Sequence, residues 1–88
     1  MGFYVYIIEN QTSGIFYKGF TEDYQKRLLE HNNNESRFTS NKGLWKLIYV
    51  EECSTKKDAL IREKKLKHSN KDYLRWLVTQ PTNLLMNK

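Results

Sequence analysis

The apolar residues of this chain fall into three short runs followed by two spaced stripes, and the two periods predict two kinds of element. Residues 3–8 and 15–20 are rich in β-branched and aromatic side chains, and Asn10-Gln11-Thr12-Ser13-Gly14 between them has the composition of a turn. The N-terminal segment therefore reads as a β-hairpin. A helix should follow over residues 21–31, capped by Thr21 with Glu22 and Asp23 in its first turn. The run Asn32-Asn33-Asn34 tolerates left-handed backbone and should stop it, leaving a polar loop to Gly43. Residues 44–50 make a third strand. Ser54-Thr55, with Asp58 in the capping-box position, starts a helix of about 56–67. Ser69-Asn70-Lys71-Asp72 repeats the signal for a helix over 71–78, with Tyr73, Leu74, Leu77 and Val78 as its apolar stripe. Pro81 ends it, and the tail from Thr82 has no pattern and is expected to be loose.

Several polar residues break this pattern in ways that suggest chemistry. If the hairpin loop is Asn10 to Ser13, Glu9 pairs with Gly14, and counting back along the ladder sets Tyr6 opposite Tyr17. Alone, that reads as a cross-strand aromatic pair that stabilises the hairpin. Glu63 lies three or four residues from Ala59, Leu60 and Leu66, so its carboxylate is expected on the inward face of its helix. There it needs a Lys or Arg partner or a reach to the solvent at the rim of the core, or it serves a hard divalent cation such as Mg²⁺, which takes one or two carboxylates and completes its shell with waters and phosphate oxygens. Arg27 and His31 are four apart and share a helix face. The guanidinium suits a phosphate or an ordinary surface pair, and the imidazole suits proton transfer or a hydrogen bond at the helix end.

Eighty-eight residues make one modest domain, assigned here to 1–80 with 81–88 as a tail. The single cysteine, Cys53, cannot form an internal disulfide, and no Cys/His spacing resembles a zinc site. No apolar stretch approaches the roughly 20 residues of a membrane span, and no secretory leader is evident, so the chain is expected to be cytoplasmic. Fifteen basic residues against ten acidic ones give a net charge of +5, which suits a polyanion partner or a merely solvated surface. Arg37, Lys42 and Lys65 are the candidate contacts to a nucleic-acid backbone.

Order and spacing together are more specific than any one residue. Tyr4-Val5-Tyr6 on the first strand, Tyr17-Lys18-Gly19 on the second, Arg27 ten residues after Tyr17, His31 four further on, and Glu63 on a later helix resemble the GIY-YIG nuclease domain. The likeness is to its small single-domain members, similar to the catalytic domain of excision-repair nucleases. Tyr4 and Lys18 stand where the family pattern has glycine and isoleucine, Phe20 follows the glycine, and an asparagine near the end of the family's domain has no matching position here, Asn70 and Asn83 being the candidates. The resemblance implies an α+β fold, a three-stranded antiparallel sheet flanked by about three helices. It also implies metal-dependent hydrolysis of a nucleic-acid phosphodiester, DNA first. Glu63 would hold Mg²⁺ or Mn²⁺, Tyr6 would act as general base with Tyr17 as companion or the reverse, Arg27 would stabilise phosphate charge, and His31 would relay a proton or position water. The alternative is a binding module that keeps the fold and cleaves nothing. A partner protein for targeting fits either reading.

Overall fold

The computed structural model describes residues 2–33 and 43–86. Three strands, β1 (Phe3–Asn10), β2 (Phe16–Thr21) and β3 (Trp45–Cys53), form one antiparallel sheet in the order β2-β1-β3. Helix α1 (Tyr24–Asn32) follows β2, and α2 (Lys56–Lys67) and α3 (Lys71–Val78) follow β3. The α+β class, the three strands and the three helices agree with the sequence expectation. Among the described residues no helix is long and apolar enough to cross a membrane.

The hairpin register differs from the count made above. Asn10 pairs with Ile15, Glu9 faces Phe16, Tyr6 faces Gly19 and Tyr17 faces Ile8. The loop keeps four residues but moves one position along the chain. The cause is Asn10, whose side-chain Oδ1 accepts from the backbone N–H groups of Thr12 and Ser13, both at 2.9 Å. That asparagine turn places Gly14 last in the loop, at φ 78°, a left-handed value that glycine tolerates. A shift of two residues preserves sidedness, so Tyr6 and Tyr17 still share a face, as diagonal neighbours rather than an opposed pair.

The alternation of β1 divides the core in two. Val5 and Ile7 point toward Ala59 and Leu66 of α2 and Leu74 and Leu77 of α3. Tyr6 and Ile8 point the other way, toward Trp45, Val50 and α1. A bulge at Ile48 interrupts the β1–β3 register between Ile7 and Ile8 and puts Ile48 and Tyr49 in the same core cluster.

Helix caps explain the remaining boundaries. Thr55 accepts from Asp58 N at 3.1 Å and Asn70 from Tyr73 N at 2.8 Å, so α2 and α3 start as expected. For α1 the cap is Asp23, accepting from Lys26 N at 3.0 Å; Thr21 closes β2 instead, and no acid lies in the first turn. The helix stops at Asn33 without left-handed backbone (φ −95°). Tyr73, expected in the stripe of α3, lies on its exposed side, while Leu74 and Leu77 are buried.

The tail is not loose through Met86. Asn83 is buried, and its amide donates to the carbonyls of Ile48 and Val78, both at 2.9 Å, while its oxygen accepts from Val50 N and Leu85 N. It stitches the bulge of β3 to the end of α3 and seats the 3-10 turn Leu84–Met86 on the sheet.

Candidate active site

The α1 face of the sheet gathers phenols and an imidazole where the other face gathers aliphatic side chains. Tyr6, on the central strand, is 2% exposed, and its hydroxyl is hydrogen-bonded to Nε2 of the fully buried His31 at 2.9 Å. The Tyr17 ring meets the His31 ring edge-on at 5.0 Å and stands 6.4 Å from the Tyr6 ring. Two features place these groups. Gly19 lies under Tyr6, and a Cβ there would come within 2.6 Å of the phenol oxygen, so only glycine leaves room for the ring. Asn32, next to His31, clamps the backbone of Trp45, donating to its carbonyl at 3.1 Å and accepting from its N–H at 2.7 Å. This pins the last turn of α1 to β3 and fixes the depth of His31.

Arg27, one turn before His31, pairs with Glu30 at 2.8 Å, and its guanidinium also acts on the Tyr6 phenol, favouring the ionised form. Glu63 on α2 lies at the rim rather than inside the core. Its side chain is 17% exposed, beside buried Ala59 and Leu66, while Leu60 turns outward, and its nearest cation is the half-exposed Lys67 at 3.7 Å. The structure thus gathers Tyr6, Tyr17 and His31, with Arg27 and, from α2, Glu63 near enough to act electrostatically on the Tyr6 phenol. Lys65 does not join them: two residues from Glu63, it projects from nearly the opposite side of α2. Arg37 and Lys42 lie outside the described residues.

Burial sets the protonation states. Tyr6 is pushed up to about 12, first by burial and then by Tyr17 and Glu63, with Arg27 opposing. His31 is pushed down to about 4 by burial and by Arg27, so it is neutral at physiological pH and does not titrate near 7. A neutral imidazole accepts from the Tyr6 hydroxyl at Nε2 when its proton is on Nδ1 and donates to the phenol oxygen when its proton is on Nε2. Among the described residues no three His, Cys, Asp or Glu come together to cage a metal. A single rim carboxylate with only a distant lysine partner fits a hard cation that shares its shell with water and substrate phosphate.

Tyr6 and His31 are buried, and the partly exposed Arg27 and Glu63 lie at the rim. A cleft of about 450 Å³ lies elsewhere, between the end of β3 and α2, lined by Glu51, Asp58 and Arg62.

Sequence reasoning missed the placing roles of Gly19 and Asn32. A glycine inside an apolar strand was the available signal for the first; nothing local signals the second.

The family profile described as the GIY-YIG catalytic domain matches residues 2–75. A UPF0213 protein of Staphylococcus saprophyticus is 35% identical over 65 residues, 73% of this chain and 78% of that protein. A UPF0213 protein of Haloquadratum walsbyi is 30% identical over 92% of this chain and 91% of its own length. The solution NMR structure of a UPF0213 protein from Bacillus halodurans superposes with a TM-score of 0.60 at 27% identity, covering 99% of this chain and 93% of that one.

Proposed function

The chain belongs to the GIY-YIG catalytic domain family, and from that premise we propose that it is a metal-dependent endonuclease hydrolysing phosphodiester bonds of nucleic acid, with DNA as the substrate. The observation that carries this reading is the buried Tyr6 hydroxyl, bonded to a neutral His31 and acted on by both Arg27 and Glu63. Tyr6, in its phenolate form, is the base that takes the proton of the attacking water. His31 aims the phenol, Tyr17 packs His31 in place, and Arg27 neutralises charge building on the phosphate, where losing one donor typically costs about 10²–10³ in rate. Mg²⁺ or Mn²⁺ at Glu63, when bound, polarises the phosphate and offsets the carboxylate charge that raises the Tyr6 pKa. In the free protein a phenol near pKa 12 is almost wholly protonated. The rate should therefore climb with pH through the neutral range, about tenfold per unit until metal and substrate have lowered that pKa enough to level it.

The same raised Tyr6 pKa favours the second reading, a module that binds nucleic acid and cleaves nothing. Incubating labelled single-stranded, duplex, flap and branched DNA, and their RNA counterparts, with and without Mn²⁺ separates the two. Cleavage that needs Mn²⁺ and rises with pH is expected. Tight binding with no product under any condition supports the binding module instead.

A further inference from the structure

The sequence expectation put phosphate contacts at Arg37, Lys42 and Lys65, yet the structure assembles a different set of cations beside Glu63. Lys18 follows Tyr17 on the edge strand and faces Ile7, so it points to the α2 side of the sheet, as Phe16 does. The Lys71 ammonium sits 4.7 Å from the centre of the Phe16 ring and donates to the Gly14 carbonyl at 2.5 Å. Lys67 is the last residue of α2, with its ammonium 3.7 Å from Glu63. Phe16 and Lys18 are two apart on one face of β2, which sets Lys18 next to Lys71, and Lys67 and Lys71 flank the short turn from α2 to α3; burial first, and then the charges of Lys67 and Lys71, push the Lys18 pKa down. Glu63 is the only acid paired with any of them among the described residues.

We propose that Lys18, Lys67 and Lys71 form a second phosphate subsite, which holds a backbone phosphate of the bound strand beside the scissile one, and that Lys67 passes from Glu63 to that phosphate when Glu63 takes its cation. This rests on the nuclease reading of Glu63. A divalent ion at the carboxylate repels the ammonium 3.7 Å away, and the released lysine swings on a flexible stem toward Lys18 and Lys71. There it completes a cluster whose positive charge has no acidic partner among the described residues, a role a phosphodiester fills. Cation and strand binding are then coupled through one side chain.

Lys67→Ala makes the two halves of the proposal move in opposite directions. Mn²⁺ binding to the protein without nucleic acid, read by calorimetry, should tighten about threefold or more, because a neighbouring positive charge is gone. Binding of a short duplex in Ca²⁺ should weaken by about threefold or more, with the slope of log affinity against log salt shallower by roughly 0.9. Lys18→Ala should weaken the duplex similarly and leave Mn²⁺ binding nearly unchanged. If Lys67→Ala fails to tighten Mn²⁺ binding while Glu63→Gln abolishes it, the handover is wrong and the cation site stands. If neither lysine variant changes the salt slope, the subsite is wrong. Wild-type protein that binds no Mn²⁺ sensitive to Glu63→Gln overturns this proposal and the nuclease reading together.

Discussion

Each face of the sheet buries one tyrosine beside an arginine and a glutamate, and the two groups are built differently. On the α2 and α3 side, Tyr49 donates to Glu51 in a short hydrogen bond, Arg62 pairs with the same carboxylate oxygen at 3.1 Å, and Thr82 meets the phenol at 3.2 Å. On the α1 side, Tyr6 meets a neutral imidazole and Arg27 is shared between Glu30 and the phenol, while Glu63 acts on that phenol from α2 and, among the described residues, pairs with a lysine at 3.7 Å. Both phenols are pushed up to about 12. The perturbed pKa therefore does not distinguish them. The carboxylate does: Glu51 is consumed by its neighbours, whereas Glu63 is left at the rim with ligand capacity unused. Tyr49, Glu51 and Arg62 hold the end of β3 against α2 and the tail, and the Tyr6 group is available for work.

The sharpest way to break this contrast is to neutralise the two glutamates in turn. Glu63→Gln should lower metal-dependent cleavage by at least about 10³-fold, since it removes the cation's protein ligand, and leave the melting temperature nearly unchanged. Glu51→Gln should leave cleavage intact and destabilise by about 1–2 kcal/mol in urea unfolding, because Arg62 loses its partner in a largely buried setting. Equal effects on cleavage would erase the distinction.

Gly19→Ala probes how closely the Tyr6 group is fitted. The new Cβ would lie 2.6 Å from the phenol oxygen, which must then swing away from His31. Cleavage should fall by about 10²-fold from misplacement, with a stability loss of about 1–3 kcal/mol from overpacking.

A smaller effect concerns pH. His31 has a folded pKa of about 4 against 6.5 for a free histidine, so the unfolded chain binds more protons between those values. Its contribution is fully present above pH 6.5 and is lost as the pH falls from 6.5 toward 4, on the order of 1–3 kcal/mol. Wild type should lose more stability than His31→Gln across that window, whereas parallel curves would mean that His31 is not held neutral by burial.

What the sequence revealed followed from how local each determinant is. Thr55 with Asp58, and Asn70, announce α2 and α3 because a helix cap is decided within four residues. The hairpin register was misread because the Asn10 side chain, rather than the turn composition, sets where the ladder begins. The candidate site residues were legible only through their order and spacing along the chain, as a family resemblance. Their gathering around Tyr6 depends on that register, on the glycine beneath the ring and on the Asn32 clamp, none of which a periodicity shows. Asn83 and the Lys18, Lys67 and Lys71 cluster stayed hidden because their partners come from strands and helices far apart in sequence.

The central claim, that Tyr6 does chemistry while Tyr49 does not, is tested most directly by single-turnover cleavage with Mn²⁺ for Tyr6→Phe and Tyr49→Phe, each keeping its ring and losing only its hydroxyl. Tyr6→Phe should cleave at least about 10²-fold more slowly with strand binding little changed, and Tyr49→Phe should cleave at the wild-type rate. Wild-type cleavage by Tyr6→Phe, or an equal loss in both variants, would contradict the account.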